Sequence, residues 1–269
     1  MNLNNSNQSP TTFNALRIHN VIASYKKHGY EVILGNPDSL GTQLARDGHV
    51  LSISLGVTLS DILVFQWVAE IAPWDRALVI GNAFGFSTLL LAGLCPGCCV
   101  DAIDAEIEGA ENQMGSELTR ILAKQDFPNV QLTKGFSPQD LPSATRFDSY
   151  DFIFIDGMHT NEQLLKDYKG IRNLRSDASV VYFHDIGMAR MFQAWKQIRS
   201  ALLMDGDEAF DLHFTSFGST MVVRGIPALS SFLNSSCKPL DSYLYYFGAK
   251  GAGFRTALRM FWRTIRHRN

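Results

Sequence analysis

The positions of apolar and polar residues predict an alternation of strands and helices over most of the chain. Short apolar runs predict strands at 77–80, 100–103, 130–133, 150–155 and 179–183, with two more near 210–215 and 220–224. Stretches with apolar residues at helical spacing lie between them, at 88–94, 107–125, 160–174 and 188–202. Strands that are apolar on both faces and alternate with helices form a parallel sheet covered on both sides. The final two strands are joined too closely for a crossover helix, so at least one of them must run antiparallel.

Two helix starts can be predicted from capping residues. Ser60 is predicted as the N-cap of a helix that is apolar nearly all round and that ends at Pro73, so this helix should be well buried. Thr160 and Gln163 have the spacing of a capping box, which predicts that the helix at 160–174 begins there.

The chain divides into four segments by composition. Residues 1–12 are rich in Asn, Ser, Gln and Thr and are predicted to be disordered. Residues 13–58 mix polar stretches with glycines and are predicted to form a substrate or cap region. Residues 59–224 form the α/β domain, and residues 225–269 form a C-terminal extension.

Ligands of open α/β sheets bind beyond the carboxyl ends of the strands, so the residues that follow each strand are the candidate site. The first strand is followed by a glycine turn, from Gly81 to Gly85, which lets a backbone approach a ligand closely. Asp104 follows the second strand, 19 residues after Gly85. An acid at that position can accept hydrogen bonds from both hydroxyls of a ribose. The alternative is a turn and an acid with purely structural roles.

A nicotinamide-binding site is the obvious competitor for a glycine turn of this kind. Its fingerprint, Gly-x-Gly-x-x-Gly, would need a glycine at Ala83 and another at Phe86. The chain has neither, which disfavours a dinucleotide and favours a nucleoside cofactor without a pyrophosphate.

Acids and histidines follow the later strands. Asp156, His184 and Asp185 could converge on one divalent cation, since neighbouring strands deliver their ends to one crevice. Carboxylates favour Mg²⁺, and a histidine ligand would also admit Mn²⁺ or Fe²⁺. The alternative is a set of helix-capping acids. His159 could act as a general base or could be a loop histidine bonded to the backbone.

Residues from about 56 to 224 resemble the class I S-adenosylmethionine (SAM) dependent methyltransferases. They are most similar to the branch that includes catechol-type and macrolide-sugar O-methyltransferases and cephalosporin-hydroxylase-type proteins. The motifs that carry the resemblance are 77–92, which contains the glycine turn, 100–106, which contains Asp104, 150–159, which reads Tyr-Asp-Phe-Ile-Phe-Ile-Asp-Gly-Met-His, and 180–185. The resemblance implies a Rossmann-like fold, with helices on both faces of a mostly parallel seven-stranded sheet.

The resemblance also implies roles for individual residues. The residues that it places along the methionine and ribose of SAM are Gly81, Asn82, Ala83, Gly85 and Asp104, with Phe136 and Ser137 beside the adenine. It implies a divalent metal, Mg²⁺ or Mn²⁺, at Asp156 and Asp185, and a catalytic base at His159. The chain departs from the family pattern at Val79, at Ala83 and at His184, where an acid, a glycine and an acid are usual. The implied function is methylation of a hydroxyl on a small molecule, a sugar or a secondary metabolite; the alternative is a catalytically silent binding module.

Composition and charge narrow the choice of partners. A net charge of −2 disfavours nucleic acid as a partner, and the absence of a signal-peptide pattern, with three cysteines bunched at Cys95, Cys98 and Cys99, predicts a cytoplasmic protein with reduced thiols. The three cysteines lack the further ligands of a zinc site and are predicted to lie in a structural turn.

Residues 248–268 combine basic residues with apolar residues at helical spacing. This pattern predicts an amphipathic helix that either lies on an anionic membrane surface or packs on its own domain or across a homodimer.

Overall fold

The structure is a computed structural model of the 269-residue chain, and it describes residues 15–34, 41–51, 56–107, 109–187, 191–212, 215 and 218–236. The predictions of disorder at 1–12 and of a basic helix at 248–268 lie outside the described residues. Among the described residues, no helix combines the length and the apolar character needed to cross a bilayer.

The elements follow the predicted alternation, with small differences at their ends. The strands are β1 (Glu31–Ile33), β2 (Gln43–Arg46), β3 (His49–Val50), β4 (Arg76–Ile80), β5 (Cys99–Asp104), β6 (Val130–Lys134), β7 (Tyr150–Ile155), β8 (Arg175–Phe183), β9 (Glu208–Leu212) and β10 (Ser219–Arg224). The α-helices are α1 (Ala15–Lys27), α2 (Leu59–Ile71), α3 (Phe86–Leu94), α4 (Ala110–Asp126), α5 (Leu141–Ala144), α6 (Asn161–Ile171), α7 (Phe192–Met204) and α8 (Pro227–Ser236).

Seven strands form one sheet, in the order β6-β5-β4-β7-β8-β10-β9. Strands β4 to β8 run parallel to one another, and β10 runs antiparallel to both β8 and β9. The predicted fold class, a doubly wound and mostly parallel seven-stranded sheet with an antiparallel strand near its C-terminal end, is therefore confirmed. The strand order reverses beside β4, because β5 lies on one side of it and β7 on the other. Open α/β sheets bind their ligands at such a switch point.

Alternate residues of the central strands point into two separate apolar cores. One core joins Val79 and Phe154 to helices α1, α2, α3, α4 and α8, and the other joins Leu78 and Ile155 to α5, α6 and α7. Helices therefore cover both faces of the sheet, as predicted.

The starts of two helices differ from the predicted capping. Helix α2 is capped by Thr58, not by Ser60, because Thr58 forms a reciprocal capping box with Asp61. The Thr160 side chain does accept from the Gln163 backbone at 3.2 Å, but the Gln163 side chain donates elsewhere, so the second half of that predicted box is wrong.

The segment before the α/β domain contains α1 and a small antiparallel sheet with the order β1-β2-β3. Helix α1 packs on the main domain: Ser24 and Lys27 bond Asp126 at 2.6 and 2.8 Å, and the Tyr25 hydroxyl donates to the Phe84 carbonyl at 2.8 Å. The division into a cap region and a domain at residue 58 stays a prediction, although α1 is firmly attached to the domain that follows.

Candidate active site

A cleft of about 310 Å³ opens at the carboxyl ends of β4, β5, β7 and β8. Its lining includes Gly81, Ala83, Asp104, Ile107, Asn112, Phe136, Ser137, Asp156, His159, Asp167, His184 and Asp185. The structure therefore brings together nine of the predicted site residues: Gly81, Ala83, Asp104, Phe136, Ser137, Asp156, His159, His184 and Asp185. A cleft of this volume lies within the usual range of small-molecule sites.

The glycine turn joins β4 to α3 with backbone conformations that suit glycine. Gly81 has φ +93°, and a Cβ there would lie 2.1 Å from the backbone oxygen of Asp156. Gly85 has φ +80°, and a Cβ there would lie 2.0 Å from Thr119 Oγ1. The turn is thus pressed against the loop after β7 on one side and against α4 on the other.

Two of the predicted cofactor-binding residues do not line the cleft. The Asn82 side chain is buried, donates to the Ala83 carbonyl and to Thr119 Oγ1, and accepts from Thr88 at 2.9 Å. Gly85 begins α3 behind the turn. Both residues shape the turn, and a direct contact with a cofactor stays a prediction.

Asp104 holds the turn in place through backbone hydrogen bonds. Its Oδ2 accepts from the backbone N–H of Asn82 at 2.6 Å and of Ala83 at 3.0 Å, and its Oδ1 accepts from Glu106 at 2.7 Å. Each carboxylate oxygen can accept about two bonds, so one acceptor position remains. Accepting both hydroxyls of a ribose would therefore require the loss of a backbone bond.

Asn112 is a cleft residue that the sequence analysis missed. It lies on the first turn of α4, is buried, and its Oδ1 has no hydrogen-bond partner among the described residues. A buried acceptor without a partner costs about 1–3 kcal/mol, so its presence in the cleft wall points to a polar ligand. A single asparagine in a polar stretch carries no pattern that could have identified it.

The cleft has an apolar rim. Ile107, Phe136 and Met158 are 53%, 52% and 50% exposed. Exposed apolar side chains grouped at the mouth of a cleft are suited to cover a flat, weakly polar ligand group.

Asp156, His184 and Asp185 form the compact group at the β7 and β8 end of the cleft. His184 Nδ1 lies 3.0 Å from Asp156 Oδ1 and 3.3 Å from Asp185 Oδ1. Each residue offers one ligand atom, and these atoms lie within 4.8 Å of one another. Ligands of one octahedral ion at about 2.1 Å are separated by about 3 Å, so the donor set fits a divalent cation. The metal itself stays a prediction.

The charges of this group are strongly coupled. Burial alone would lower the pKa of His184, but the carboxylates of Asp156 and Asp61 raise that pKa well above its ordinary value. Burial would raise the pKa of Asp156, but the charge of His184 and hydrogen bonds from both histidines hold that pKa far below its ordinary value. In the arrangement seen here, His184 is therefore a cation among carboxylates.

His159 lies at the edge of the same group. Its Nε2 is 3.2 Å from Asp156 Oδ1 and 3.6 Å from Asp185 Oδ2. The hydrogen bond to Asp156 raises the pKa of His159, although its partial burial opposes the shift. Its role as a base stays a prediction.

Asp61 is the second site residue that the sequence analysis missed. It is fully buried on α2, and its Oδ2 lies 3.2 Å from His184 Nε2. In the sequence Asp61 follows Ser60 at the start of a largely apolar helix, where it suggests only a cap.

Gln163 and Asp167 of α6 also line the cleft. Gln163 Nε2 donates to the Ser137 carbonyl at 2.6 Å and to Asp167 Oδ1 at 2.7 Å. Burial raises the pKa of Asp167 to about 6, against the effect of its hydrogen bonds.

The part of the chain that carries this cleft is similar to one known family. Residues 78–186 match the family described as "Methyltransferase domain". Over these residues the chain is similar to a methyltransferase domain. The matched residues run from β4 to the end of β8 and include the glycine turn, Asp104, His159 and the Asp156–His184–Asp185 group. The resemblance to class I SAM-dependent methyltransferases is thereby confirmed.

Solved structures of methyltransferases share the fold of this chain. An O-methyltransferase from Bacillus cereus, in complex with S-adenosylhomocysteine (SAH), is similar with a TM-score of 0.55 at 15% identity, over 80% of this chain and 93% of that one. The O-methyltransferase TomG from Streptomyces achromogenes, involved in tomaymycin synthesis and bound to SAM, is similar with a TM-score of 0.53 at 15% identity, over 77% and 89% of the two chains. No curated protein sequence matches the chain.

Proposed function

We propose that this chain is a SAM-dependent O-methyltransferase that methylates a hydroxyl of a small molecule, a sugar or a secondary metabolite, with the help of a divalent cation. One observation carries the proposal. A single cleft at the switch point of a methyltransferase fold joins a glycine turn and Asp104 to a group of two carboxylates and a histidine. The first part suits a nucleoside cofactor, and the second suits a cation and a substrate oxygen.

The cofactor end of the cleft would be formed by the residues after β4, β5 and β6. Gly81 and Ala83 would face the methionine part, Asp104 and the unpaired Oδ1 of Asn112 would each accept one ribose hydroxyl, and Phe136 and Ser137 would border the adenine. When bound, SAM supplies an activated methyl group, which a substrate oxygen attacks in line with release of SAH. The chain contributes mainly alignment, which can be worth about 7–11 kcal/mol.

The catalytic end would be formed by the residues after β7 and β8. A cation held by Asp156, His184 and Asp185 would supply the charge that lowers the pKa of the substrate hydroxyl. With its Nε2–H donated to Asp156, neutral His159 has Nδ1 free to take the substrate proton. Asp156 would thus orient the base, as the carboxylate does in other acid–histidine pairs.

Calorimetric titration with SAH tests the cofactor end directly. We expect binding in the micromolar range, and a roughly tenfold loss of affinity, about 1.4 kcal/mol, in Phe136→Ala. Leu203→Ala is the matched control, because Leu203 is exposed to a similar degree on α7 and does not line the cleft. It should bind SAH as the wild type does.

The titration can also contradict the proposal. Absence of SAH binding by a folded protein, with and without Mg²⁺ or Mn²⁺, would contradict it. Asp104 is unsuitable as the test position, because its replacement would also release two backbone N–H groups of the turn and that of Glu106.

A catalytically silent SAM-binding module is a second candidate, and one observation favours it. His184 already places a positive charge between the carboxylates of Asp61 and Asp156 without an added ion. SAH binding that is unaffected by any divalent cation, together with no methylated product in a hydroxyl-compound screen, would support this second function.

The partners and the location of the protein belong to the same proposal. We propose a cytoplasmic enzyme, in keeping with the free thiols of Cys95, Cys98 and Cys99. We also propose that residues 248–268 contact either an anionic membrane surface or a second copy of the chain. Cosedimentation with anionic vesicles, compared with the same protein truncated after residue 236, separates these alternatives.

A further inference from the structure

Asp61 has more hydrogen-bond donors than a helix cap requires. Its Oδ2 accepts from the Thr58 backbone at 2.9 Å and from the Thr58 hydroxyl at 2.5 Å, which completes the cap of α2. Its Oδ1 accepts from the Tyr182 hydroxyl and, at 3.4 Å, from Ser219. Oδ2 also lies 3.2 Å from His184 Nε2. Capping explains the first pair of bonds and leaves the other three contacts, all to residues of β8, β10 and the cleft, to be explained.

These contacts fix the His184 ring. A carboxylate can only accept, so in the arrangement seen here both ring nitrogens carry a hydrogen, Nε2 toward Asp61 and Nδ1 toward Asp156 and Asp185. A metal ion bound between Asp156 and Asp185 would replace the hydrogen on Nδ1 and leave the one that Nε2 donates to Asp61. Aromatic contacts also fix the plane of the His184 ring. It stacks on Tyr182 with an interplanar angle of 27°, and its centroid lies 5.8 Å from that of the Phe154 ring. With Nε2 committed to Asp61, Nδ1 points at Asp156 Oδ1 and Asp185 Oδ1.

An imidazole that donates one N–H to a buried carboxylate and turns its other nitrogen toward two carboxylates has the arrangement of a metal ligand with its supporting acid. Such acids fix the tautomer and the orientation of the ligating ring. A nitrogen donor also changes which ions a site prefers, since imidazole suits transition metals and Mg²⁺ prefers oxygen.

We infer that Asp61 is a positioning residue that makes His184 Nδ1 a metal donor and so directs the site toward a transition-metal ion, of the Mn²⁺, Fe²⁺ or Co²⁺ kind, in preference to Mg²⁺. The inference rests on the proposed metal site. It concerns Asp61 and the choice of ion, and it does not depend on methyl transfer.

A double-mutant cycle on metal affinity tests the inference. Co²⁺ and Mg²⁺ are titrated calorimetrically into chelator-treated full-length protein, its Asp61→Asn and His184→Asp variants, and the double variant. We expect Asp61→Asn to weaken Co²⁺ binding by about 10–100-fold. We expect His184→Asp, which gives an all-oxygen donor set, to lower the ratio of Co²⁺ to Mg²⁺ affinity by at least about tenfold. In the His184→Asp background, Asp61→Asn should cause no loss of Co²⁺ affinity, because no imidazole is left to orient.

Two outcomes of the cycle would overturn the inference. Equal losses from Asp61→Asn in both backgrounds would assign Asp61 a merely structural role, and an unchanged ion preference in His184→Asp would remove His184 as a donor. If neither ion binds while SAH binds, the inference and the metal part of the proposed function fail, and the proposed SAM site stands. If Co²⁺ binds as expected while SAH does not, the proposed function fails and the inference stands.

A second measurement keeps the inference testable if Asp61→Asn does not fold. Long-range ¹H–¹⁵N spectra of the Zn²⁺-loaded wild-type protein report which ring nitrogen holds the metal. We expect Nδ1 to be metal-bound and Nε2 protonated, and the reverse assignment, or two protonated nitrogens, would overturn the inference.

Discussion

Three residues other than glycine at the edge of the cleft have left-handed backbone conformations. They are Ala83, Glu106 and Asp185, with φ of 46°, 55° and 54°. Each such residue costs about 1–3 kcal/mol, and surrounding contacts must hold it in place. Ala83 is held by Asp104, and Glu106 by Arg120 and Lys134. The fold thus retains strained residues where the ends of β4, β5 and β8 meet the cleft.

The base role of His159 can be tested by two substitutions. His159→Ala should lower methyl transfer by about 10²–10⁴-fold, because the substrate proton would lose its acceptor. SAH release in a hydroxyl-compound screen measures the rate, and calorimetry should give an unchanged affinity for SAH. His159→Gln, which keeps the polar shape but cannot act as a base, should be equally slow; full activity in either variant would remove the assignment.

The raised pKa of Asp167 predicts an unusual dependence of the free energy of unfolding on pH. Its pKa is raised from 3.8 to about 6 in the folded protein, so the folded state takes up a proton as the pH falls through this range. Stability must therefore decrease as the pH rises from about 4 to 6, by up to about 3 kcal/mol, and stay at the lower level above it. Asp167→Asn cannot titrate and should lack this decrease.

Urea unfolding at pH 4 and pH 7 measures the effect as the difference between wild type and variant. The lowered pKa values of Asp61 and Asp156 act below this interval, and the raised ones of His159 and His184 act above it. Glu162→Gln, at an exposed position on the same helix, should follow the wild-type profile. A difference between wild type and Asp167→Asn that is the same at both pH values would contradict the assignment.

At the scale of the elements, helix α1 supports the glycine turn from behind. Tyr25 is fully buried, and its hydroxyl donates to the carbonyl of Phe84 within the turn. Val21 packs at Gly93 of α3, where a Cβ would lie 2.8 Å from Val21 Cγ2. The N-terminal helix is therefore part of what shapes the glycine turn and, with it, the proposed cofactor end of the cleft.

Removal of one hydroxyl tests this support. Tyr25→Phe leaves the Phe84 carbonyl buried without a partner and should lower the free energy of unfolding by about 1–3 kcal/mol. Tyr30→Phe is the control, because the Tyr30 hydroxyl only accepts a 3.4 Å bond from Arg46 near the surface. Urea unfolding of both variants gives the comparison, and equal effects would contradict a special role for Tyr25.

The strands and the strand-end residues could be predicted because their patterns are local. Apart from Asp151, the strand Tyr150–Ile155 is apolar, and a strand buried on both faces needs that pattern. The capping of α2 could not be read, since Ser60 and Thr58 are both good caps and the choice depends on the bond to Asp61. Asp61 and Asn112 were missed because their roles arise from contacts with residues distant in the sequence, which no spacing rule contains.

At the scale of the whole molecule, the reversal of strand order places two chemically different half-sites side by side. The turn after β4 and Asp104 after β5 form one half, and Asp156 after β7 and His184 after β8 form the other. Gly81 lies at the boundary, with its α-carbon against the Asp156 backbone oxygen.

A pair of glycine substitutions tests this boundary. Gly81 and Gly48 both have left-handed backbones, with φ of 93° and 78°, so alanine at either costs about 1–2 kcal/mol of strain. Only Gly81 has a neighbour in the way, since nothing lies within 4 Å of a Cβ at Gly48. Gly81→Ala should therefore lower the free energy of unfolding well beyond Gly48→Ala in urea titrations, and it should also weaken SAH binding. Equal costs would contradict a tight boundary.

The contact between Gly81 and Asp156 has a thermodynamic consequence. A ligand that fixes the position of Asp156 also orders Gly81 in the wall of the neighbouring half-site. A second ligand that binds there would then lose less conformational entropy. Occupancy of either half should then favour occupancy of the other, and by reciprocity the two enhancements must be equal. Because Gly81 has no Cβ, its backbone can lie against that of Asp156. Through this contact, a nucleoside and a metal ion would bind cooperatively.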